Sequence, residues 1–178
     1  RDRYGIEDDN ELIRTKIKEI IGELEDSKKN LYTDNCILNS VLNIKYSAAQ
    51  VADIKIESNI FVPKYMNIDY GDMGVLFGNL LDNAIEANQG VDRKKRWINV
   101  SVKYEEHILI INIKNSKIRG SRRKKKGYLN HGIGLNSVKQ IVEKFNGIVE
   151  VQDFGEMYEV SAILYGICDD KDLGKSVL

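Results

Sequence analysis

Between Asp69 and Gln89 the run "DYGDMGVLFGNLLDNAIEANQ" reads as one long helix that is apolar around most of its circumference. Leu76, Phe77, Leu80, Leu81, Ala84 and Ile85 cover most of it, while Asn79, Asp82, Asn83 and Glu86 fall at i, i+3, i+4 and i+7 and form one polar stripe. A helix of this kind is mostly buried, so its stripe must face something polar. The plain reading is a solvated edge. Such edges are usually filled with Lys, Glu, Gln and Arg, which propagate helices better than Asn. Here two asparagines stand one turn apart, and no Lys or Arg occurs from Tyr65 to Asp92. Oxygen donors in a cleft suit a hard divalent ion that keeps part of its water.

The rest of the chain supplies the layer against which such a helix packs. "DIKIESNIFV" alternates as a strand does, and Pro63, the only proline, separates it from the long helix. "WINVSVKYEEHILIINIKN" is a hairpin whose runs meet at "EEH", and "IVEVQDFGEMYEVSAILY" is a second with its turn near Gly155. A helix from about Leu135 to Phe145 lies between them, stopped by Asn146-Gly147 at a left-handed cap. Two helical runs precede all this. "DDNELIRTKIKEIIGELEDSKKN" carries Leu12, Ile13, Ile17, Ile20, Ile21 and Leu24 at helical spacing, with Asp9 or Asn10 as cap, and "NCILNSVLNIKYSAAQVA" follows. They read as a helical arm. The order predicts an α+β fold, a two-layer sandwich with helices on one face of a mostly antiparallel sheet.

Composition narrows the function classes. With 27 acidic and 27 basic residues in 178, whole-chain charge points to no polyanionic partner. Cys36 and Cys168 lie outside any metal or redox spacing, which suits a reducing compartment. No apolar run approaches the length of a membrane span. The chain opens directly on charged residues and is expected to be a piece of a longer protein.

"NHGIGLNSV" follows a loop, "RGSRRKKKGYL", in which Arg119 to Lys126 holds six cations. Gly132 and Gly134 are by themselves a weak signal, since a flexible turn before a helix needs no more. The Rossmann glycine pattern and the Walker A Gly-Lys-Ser/Thr are both absent. The setting strengthens them: a helix N-terminus offers free N–H groups and partial positive charge, and glycine lets an oxygen approach the backbone. Nucleic acid is not the expected partner of "RRKKK", which has only Tyr128 close by and no basic face behind it.

Taken in order, N-x-x-x-N on a helix, a hairpin, a basic loop, G-x-G-L at a helix start and a final hairpin resemble the ATP-binding domain of the GHKL superfamily. "GNLLDNAIEA" is similar to the N box of sensor histidine kinases, and "HGIGLNSVKQIVEKFNGIVEV" to their second glycine box with its helix and strand. The likeness covers about residues 54–165. "NCILNSVLNIKYSAAQVADIKIE" resembles the linker and first catalytic segment of autoinducer-peptide receptors of the accessory-gene-regulator type from Gram-positive bacteria. The resemblance divides the chain into a helical arm (1–52) left from the dimerisation and phosphotransfer helices, an ATP-binding catalytic domain (53–166) and a polar tail (167–178). Ile13, Ile17, Ile20 and Leu24 would form an apolar seam for a homodimer.

The resemblance implies ATP and Mg²⁺ as cofactors. Asn83 matches the asparagine that coordinates Mg²⁺ bridging the ATP phosphates. Asn79 matches the first N-box asparagine, beside phosphates or metal. His131, Gly132, Gly134 and Leu135 match the second glycine box, and residues 116–130 the ATP lid. Where ATP-hydrolysing relatives carry a water-activating glutamate this chain has Asn79, which cannot accept a proton, so phosphotransfer is implied rather than hydrolysis.

Two departures stand out. The Asp-x-Gly-x-Gly box is replaced by "NSKIRG", leaving Asn115 where the adenine-reading aspartate would stand. The phosphoacceptor is also missing: His107 falls in a hairpin turn and His131 abuts the glycine loop. The implied activity is that of a protein-histidine kinase, its phosphoacceptor histidine on a dimerisation helix outside this chain and a response regulator downstream. The implied location is the cytoplasmic side of a membrane-anchored receptor. A GHKL module that has lost nucleotide and serves for dimerisation or docking is the alternative; a serine kinase or gyrase-like ATPase of the same fold is a third reading.

Overall fold

A computed structural model describes residues 30–120 and 133–168. The first run of the arm and its seam, most of the basic loop, and the tail from residue 169 lie outside the described residues. The described residues from Tyr32 onward form one compact unit. Its elements are α1 (Cys36–Val51), β1 (Lys55–Phe61), α2 (Tyr70–Asn88), a 3₁₀ turn (Arg93–Lys95), β2 (Trp97–Glu105), β3 (Ile108–Ser116), α3 (Ile133–Lys144), β4 (Ile148–Asp153) and β5 (Met157–Tyr165). No helix among the described residues is long and apolar enough to cross a membrane.

The five strands run in the order β1-β2-β3-β5-β4. β1 and β2 pair in parallel, with α2 as the crossover that a parallel pair requires, and the other three pairings are antiparallel. Alternation along each strand sorts the two faces. Ile98, Val100 and Val102 of β2, Leu109, Ile111 and Ile113 of β3, and Val160, Ala162 and Leu164 of β5 are buried beneath the helices. The intervening positions face away, where Asn112 donates to Glu159 Oε1 and Ser161 Oγ across β3 and β5. Packing is therefore one-sided, as the α+β reading expects, and residues 68–88 supply its centre: Met73, Leu76, Phe77, Leu80, Leu81 and Ala84 are all buried on α2. Asp69 caps that helix, its side chain accepting from the N–H groups of Gly71 and Asp72.

The boundary drawn at residues 52 and 53 does not divide the structure. α1, read as the second half of the arm, buries Leu38, Leu42, Tyr46 and Ala49 in the same core as α2. Its stripe has the spacing of any amphipathic helix, and local periodicity does not reveal which layer receives it. Arg96 then locks the helix ends: Nε donates to Val91 O, Nη1 to Ala52 O and Nη2 to Gln89 O, at 2.8, 2.7 and 3.1 Å. One guanidinium thus serves the C-terminal ends of both α1 and α2, where positive charge is favoured.

α3 ends as the sequence expects, with a division of labour between its two stop residues. Asn146 takes the left-handed conformation at φ 50°. Gly147 N–H then donates to Val142 O at 3.0 Å and Asn146 N–H to Glu143 O at 3.0 Å, the bonding pattern of a Schellman cap. The β2–β3 turn places both Glu106 (φ 48°) and His107 (φ 64°) in the left-handed region, as a two-residue hairpin turn demands. His107 is exposed there, and its carbonyl accepts from Ile167 N–H.

Tyr46 gives a test of how α1 is packed. It is 7% exposed and stands edge-on to Tyr32, ring centroids 4.7 Å apart. Burial pushes its phenol from the ordinary 10.0 up to about 12. The folded protein holds this proton more tightly than the unfolded chain, so the contribution is complete below pH 10 and is lost as pH rises through 12. Linkage puts the loss at about 1.4 kcal/mol per pH unit within that window. Urea unfolding of Tyr46→Phe should accordingly show a shallower fall in stability between pH 10 and 12 than the native protein; identical slopes would mean that Tyr46 is not sealed from water.

Candidate functional site

Helical spacing puts Asn79, Asp82, Asn83 and Glu86 on one flank of α2, away from the six apolar residues that anchor the helix. Tertiary structure changes the membership of this stripe. Lys45 of α1 reaches across, its Nζ 2.7 Å from both Asp82 carboxylate oxygens. The absence of cations in the sequence around α2 therefore did not describe its surroundings, because α1 brings one from outside the run. Asp82 is tied to that ammonium, which leaves the Asn79 amide on the side of α3.

Gly134 lies in the first turn of α3. A Cβ added there would stand 3.3 Å from Asn79 Oδ1, tighter than ordinary side-chain contact. Glycine at this position is thus what allows the Asn79 amide to lie against the start of α3, where backbone N–H groups have no partner within the helix. Two motifs separated by the whole of the first hairpin meet at this point. Asn83 is half-buried one turn further along α2, with its Nδ2 shielded from solvent. Leu135 is half-buried beside Gly134, while His131 and Gly132 lie outside the described residues. Lys144 Nζ closes on Asp72 at 2.8 Å, fixing the end of α3 to the beginning of α2.

The far end of α2 is tied by a residue that sequence reasoning passed over. Asn88 is fully buried. Its Nδ2 donates to Ala84 O at 2.9 Å and Trp97 O at 3.3 Å, and its Oδ1 accepts from Trp97 N–H at 3.2 Å and from Ser116 Oγ. All four hydrogen-bonding positions of the amide are filled, so the end of α2 is stitched to the start of β2 and the end of β3. The signal was a polar residue five places beyond Asn83, off the stripe, which its helical phase places toward the sheet. Asn115 is next to this junction, 2% exposed on the helix side of β3, and its Nδ2 donates to Ser116 O at 3.0 Å. One helix therefore runs from the Gly134 contact to the Asn115 junction.

Among the described residues no group of three or more His, Cys, Asp or Glu side chains stands together to hold a metal. Amide oxygens are hard donors but neutral and few. The donor set fits a Mg²⁺ that retains waters and takes anionic ligands from a bound phosphate chain, rather than an ion caged by protein.

A family model described as a GHKL domain matches residues 68–164, more than half of the chain. The chain belongs to the GHKL family. A probable C4-dicarboxylate sensor kinase of Bacillus subtilis (strain 168) is 32% identical over 95 residues, covering 48% of this chain and 18% of that protein. The chain thus spans less than a fifth of that relative's length. Among solved structures the GHKL unit is similar to the catalytic domain of histidine kinase ThkA, with a TM-score of 0.58 at 15% identity, covering 74% of this chain and 91% of that one. It is also similar to the Acinetobacter baumannii histidine kinase AdeS, with a TM-score of 0.56 at 13% identity, covering 93% of this chain and 87% of that one. At these identities the likeness establishes the fold, a mixed five-stranded sheet with helices shared with histidine-kinase catalytic domains.

Proposed function

We propose that this GHKL domain is the catalytic part of a sensor histidine kinase, which binds Mg·ATP between α2 and the start of α3 and passes the γ-phosphate to a histidine other than His107 and His131. The observation that carries the reading is the approach of Asn79 to Gly134, where a side chain on Gly134 would meet the amide at 3.3 Å. It joins an amide-bearing helix to a helix N-terminus, which is the chemistry a polyphosphate needs. In this reading Asn83 and Asn79 hold the metal. Gly132, Gly134, Leu135 and His131 border the phosphates, and Asn115 reads the base. Mg²⁺ held there would supply charge neutralisation to the phosphates. Asn79 has no basic atom with which to activate water, so the site holds ATP for transfer instead of hydrolysing it.

The finer assignment is to the accessory-gene-regulator type of peptide-sensing, quorum-sensing receptor, supported by "NCILNSVLNIKYSAAQVADIKIE". With it come a homodimer, a histidine-bearing dimerisation helix and a response regulator as partners. The domain would sit on the cytoplasmic side of a membrane-anchored protein.

Calorimetric titration with a non-hydrolysable ATP analogue, with and without Mg²⁺, tests the core of this reading. The expected result is one site whose heat depends on Mg²⁺. No heat at millimolar analogue, from protein shown to be folded, would establish instead a scaffold that has lost nucleotide.

A further inference from the structure

Trp97, the only tryptophan of the chain, stands at the foot of β2 between two hollows. One, about 660 Å³, is walled by Trp97, Met157, Ile118 and Phe154; the other, about 370 Å³, lies between Trp97 and the Lys94–Lys95 turn. Lys95 and Trp97 line both, so the two hollows adjoin along these side chains and are taken together as one groove. Its inner wall includes Ser116, which pairs with Met157 and whose Oγ donates to Asn88 Oδ1 at the end of α2.

The charges along this groove are unevenly engaged. Lys117 is bound to Asp153, Lys55 is paired with Glu57, and Arg96 is taken up by backbone carbonyls. Lys94, Lys95 and Arg119 are exposed and form no ion pair among the described residues. Of the three carboxylates that line it, Glu57 is paired with Lys55, Asp92 accepts from Lys94 N–H as the cap of the 3₁₀ turn and keeps its charge, and Glu156 stands on the far side. Apolar surface is uncovered in the same place: Phe154 is 56% and Ile118 45% exposed. Three unengaged cations beside an aromatic and aliphatic floor ask for an anionic ligand that also carries apolar bulk. Inorganic phosphate would leave the floor uncovered. A nucleic acid would need a continuous basic face, which Asp92 and Glu156 interrupt.

We propose that this groove docks an extended acidic segment of a partner protein, with carboxylates on Lys94, Lys95 and Arg119 and one bulky aliphatic or aromatic side chain against Trp97 and Met157. Ser116, Ile118 and Arg119 open the stretch likened to the ATP lid, so the groove borders the proposed nucleotide site; the docking is titrated without nucleotide and does not need that site to bind ATP.

Trp97 is itself the reporter. The whole chain is titrated with an acetylated Glu-Asp-Glu-Leu-Phe-Glu-Asp peptide amide while indole emission is followed. The same is done with its Lys/Arg charge-swapped counterpart and with a single-stranded oligonucleotide. The acidic peptide is expected to give a saturable change, weakened at least tenfold in Lys94→Glu/Lys95→Glu and again in Phe154→Ser, with circular dichroism unchanged in both. Flat emission to millimolar acidic peptide, equal binding of the charge-swapped peptide, or tighter binding of the oligonucleotide would each overturn the proposal.

Discussion

Asn83→Ala is expected to weaken binding of the Mg²⁺ complex of an ATP analogue by roughly 100-fold, about 2.7 kcal/mol, and to leave the much weaker metal-free binding almost unchanged. The reasoning runs through the donor inventory of the cleft. No cluster of His, Cys, Asp or Glu stands ready to hold a metal among the described residues. Of the two carboxylates on this stripe, Asp82 is bound through both oxygens to Lys45, and Glu86 is exposed one turn beyond Asn83. An ion in this cleft therefore depends on the amide oxygens, and losing one removes a large share of the protein's hold on it. Asp82→Asn is the matching control. It breaks the Lys45 ion pair, whose partners are 23% and 49% exposed, so the expected loss in stability is about 1 kcal/mol or less. It should leave the Mg²⁺ dependence in place. Calorimetry on the two variants decides the matter. Mg²⁺-dependent heat that survives in Asn83→Ala but vanishes in Asp82→Asn would move the metal to the carboxylate and refute the assignment.

Gly147→Ala is expected to destabilise the fold by about 3 kcal/mol or more, at the top of the range for overpacking. A melting temperature lower by about 10 °C should follow for a unit of this size. The residue looks like an ordinary helix stop, and in the sequence it reads as part of a left-handed cap. In the structure Asn146, not Gly147, has the positive φ. What Gly147 supplies is space. A Cβ there would overlap the carbonyl oxygen of Ile163 on β5 and stand 2.6 Å from Val142 Cγ1 and 2.9 Å from Val142 O. Two of those atoms are backbone, in a central strand and a helix end, and cannot swing aside. Relief would mean separating α3 from β5, at the point where Tyr165 N–H donates to Phe145 O. Thermal unfolding followed by circular dichroism gives the answer; a change of less than about 1 kcal/mol would show that α3 can shift freely on the sheet. Gly155, whose added Cβ would meet nothing, supplies the contrast: its φ of 89° makes a Gly155→Ala change one of backbone strain alone.

Much of the architecture could be read before any coordinates. Strand alternation in "WINVSVKYEEHILIINIKN" located the hairpin and its turn, and the apolar circumference of α2 identified the helix on which the core is built. The candidate site was legible to the extent that it lay on one element: Asn79 and Asn83 share a helix face, and their spacing alone placed them there. Gly134 at a helix start was legible as well, and α3 begins only two residues before the expected Leu135. Lys45 was not. Nothing in "NIKYSAAQ" says that its lysine will close on a carboxylate thirty-seven positions away. Asn88 was missed because its value lies in bonds to Trp97 and Ser116, which come near it only once the sheet has formed.

Period and composition are properties of neighbours along the chain. They determined the helices, the strands, the direction of each apolar face and the residue types available for the proposed phosphate site. Which faces met was decided by three-dimensional packing. The sheet layer took α1 into the core instead of leaving it on an arm, and the crossover through α2 set β1 parallel to β2. The same packing brought the Asn79 amide against a glycine of another helix. Those outcomes depend on close approach between segments far apart in sequence, where a single methyl group or a single ion pair settles the geometry, and a one-dimensional pattern carries no record of such distances.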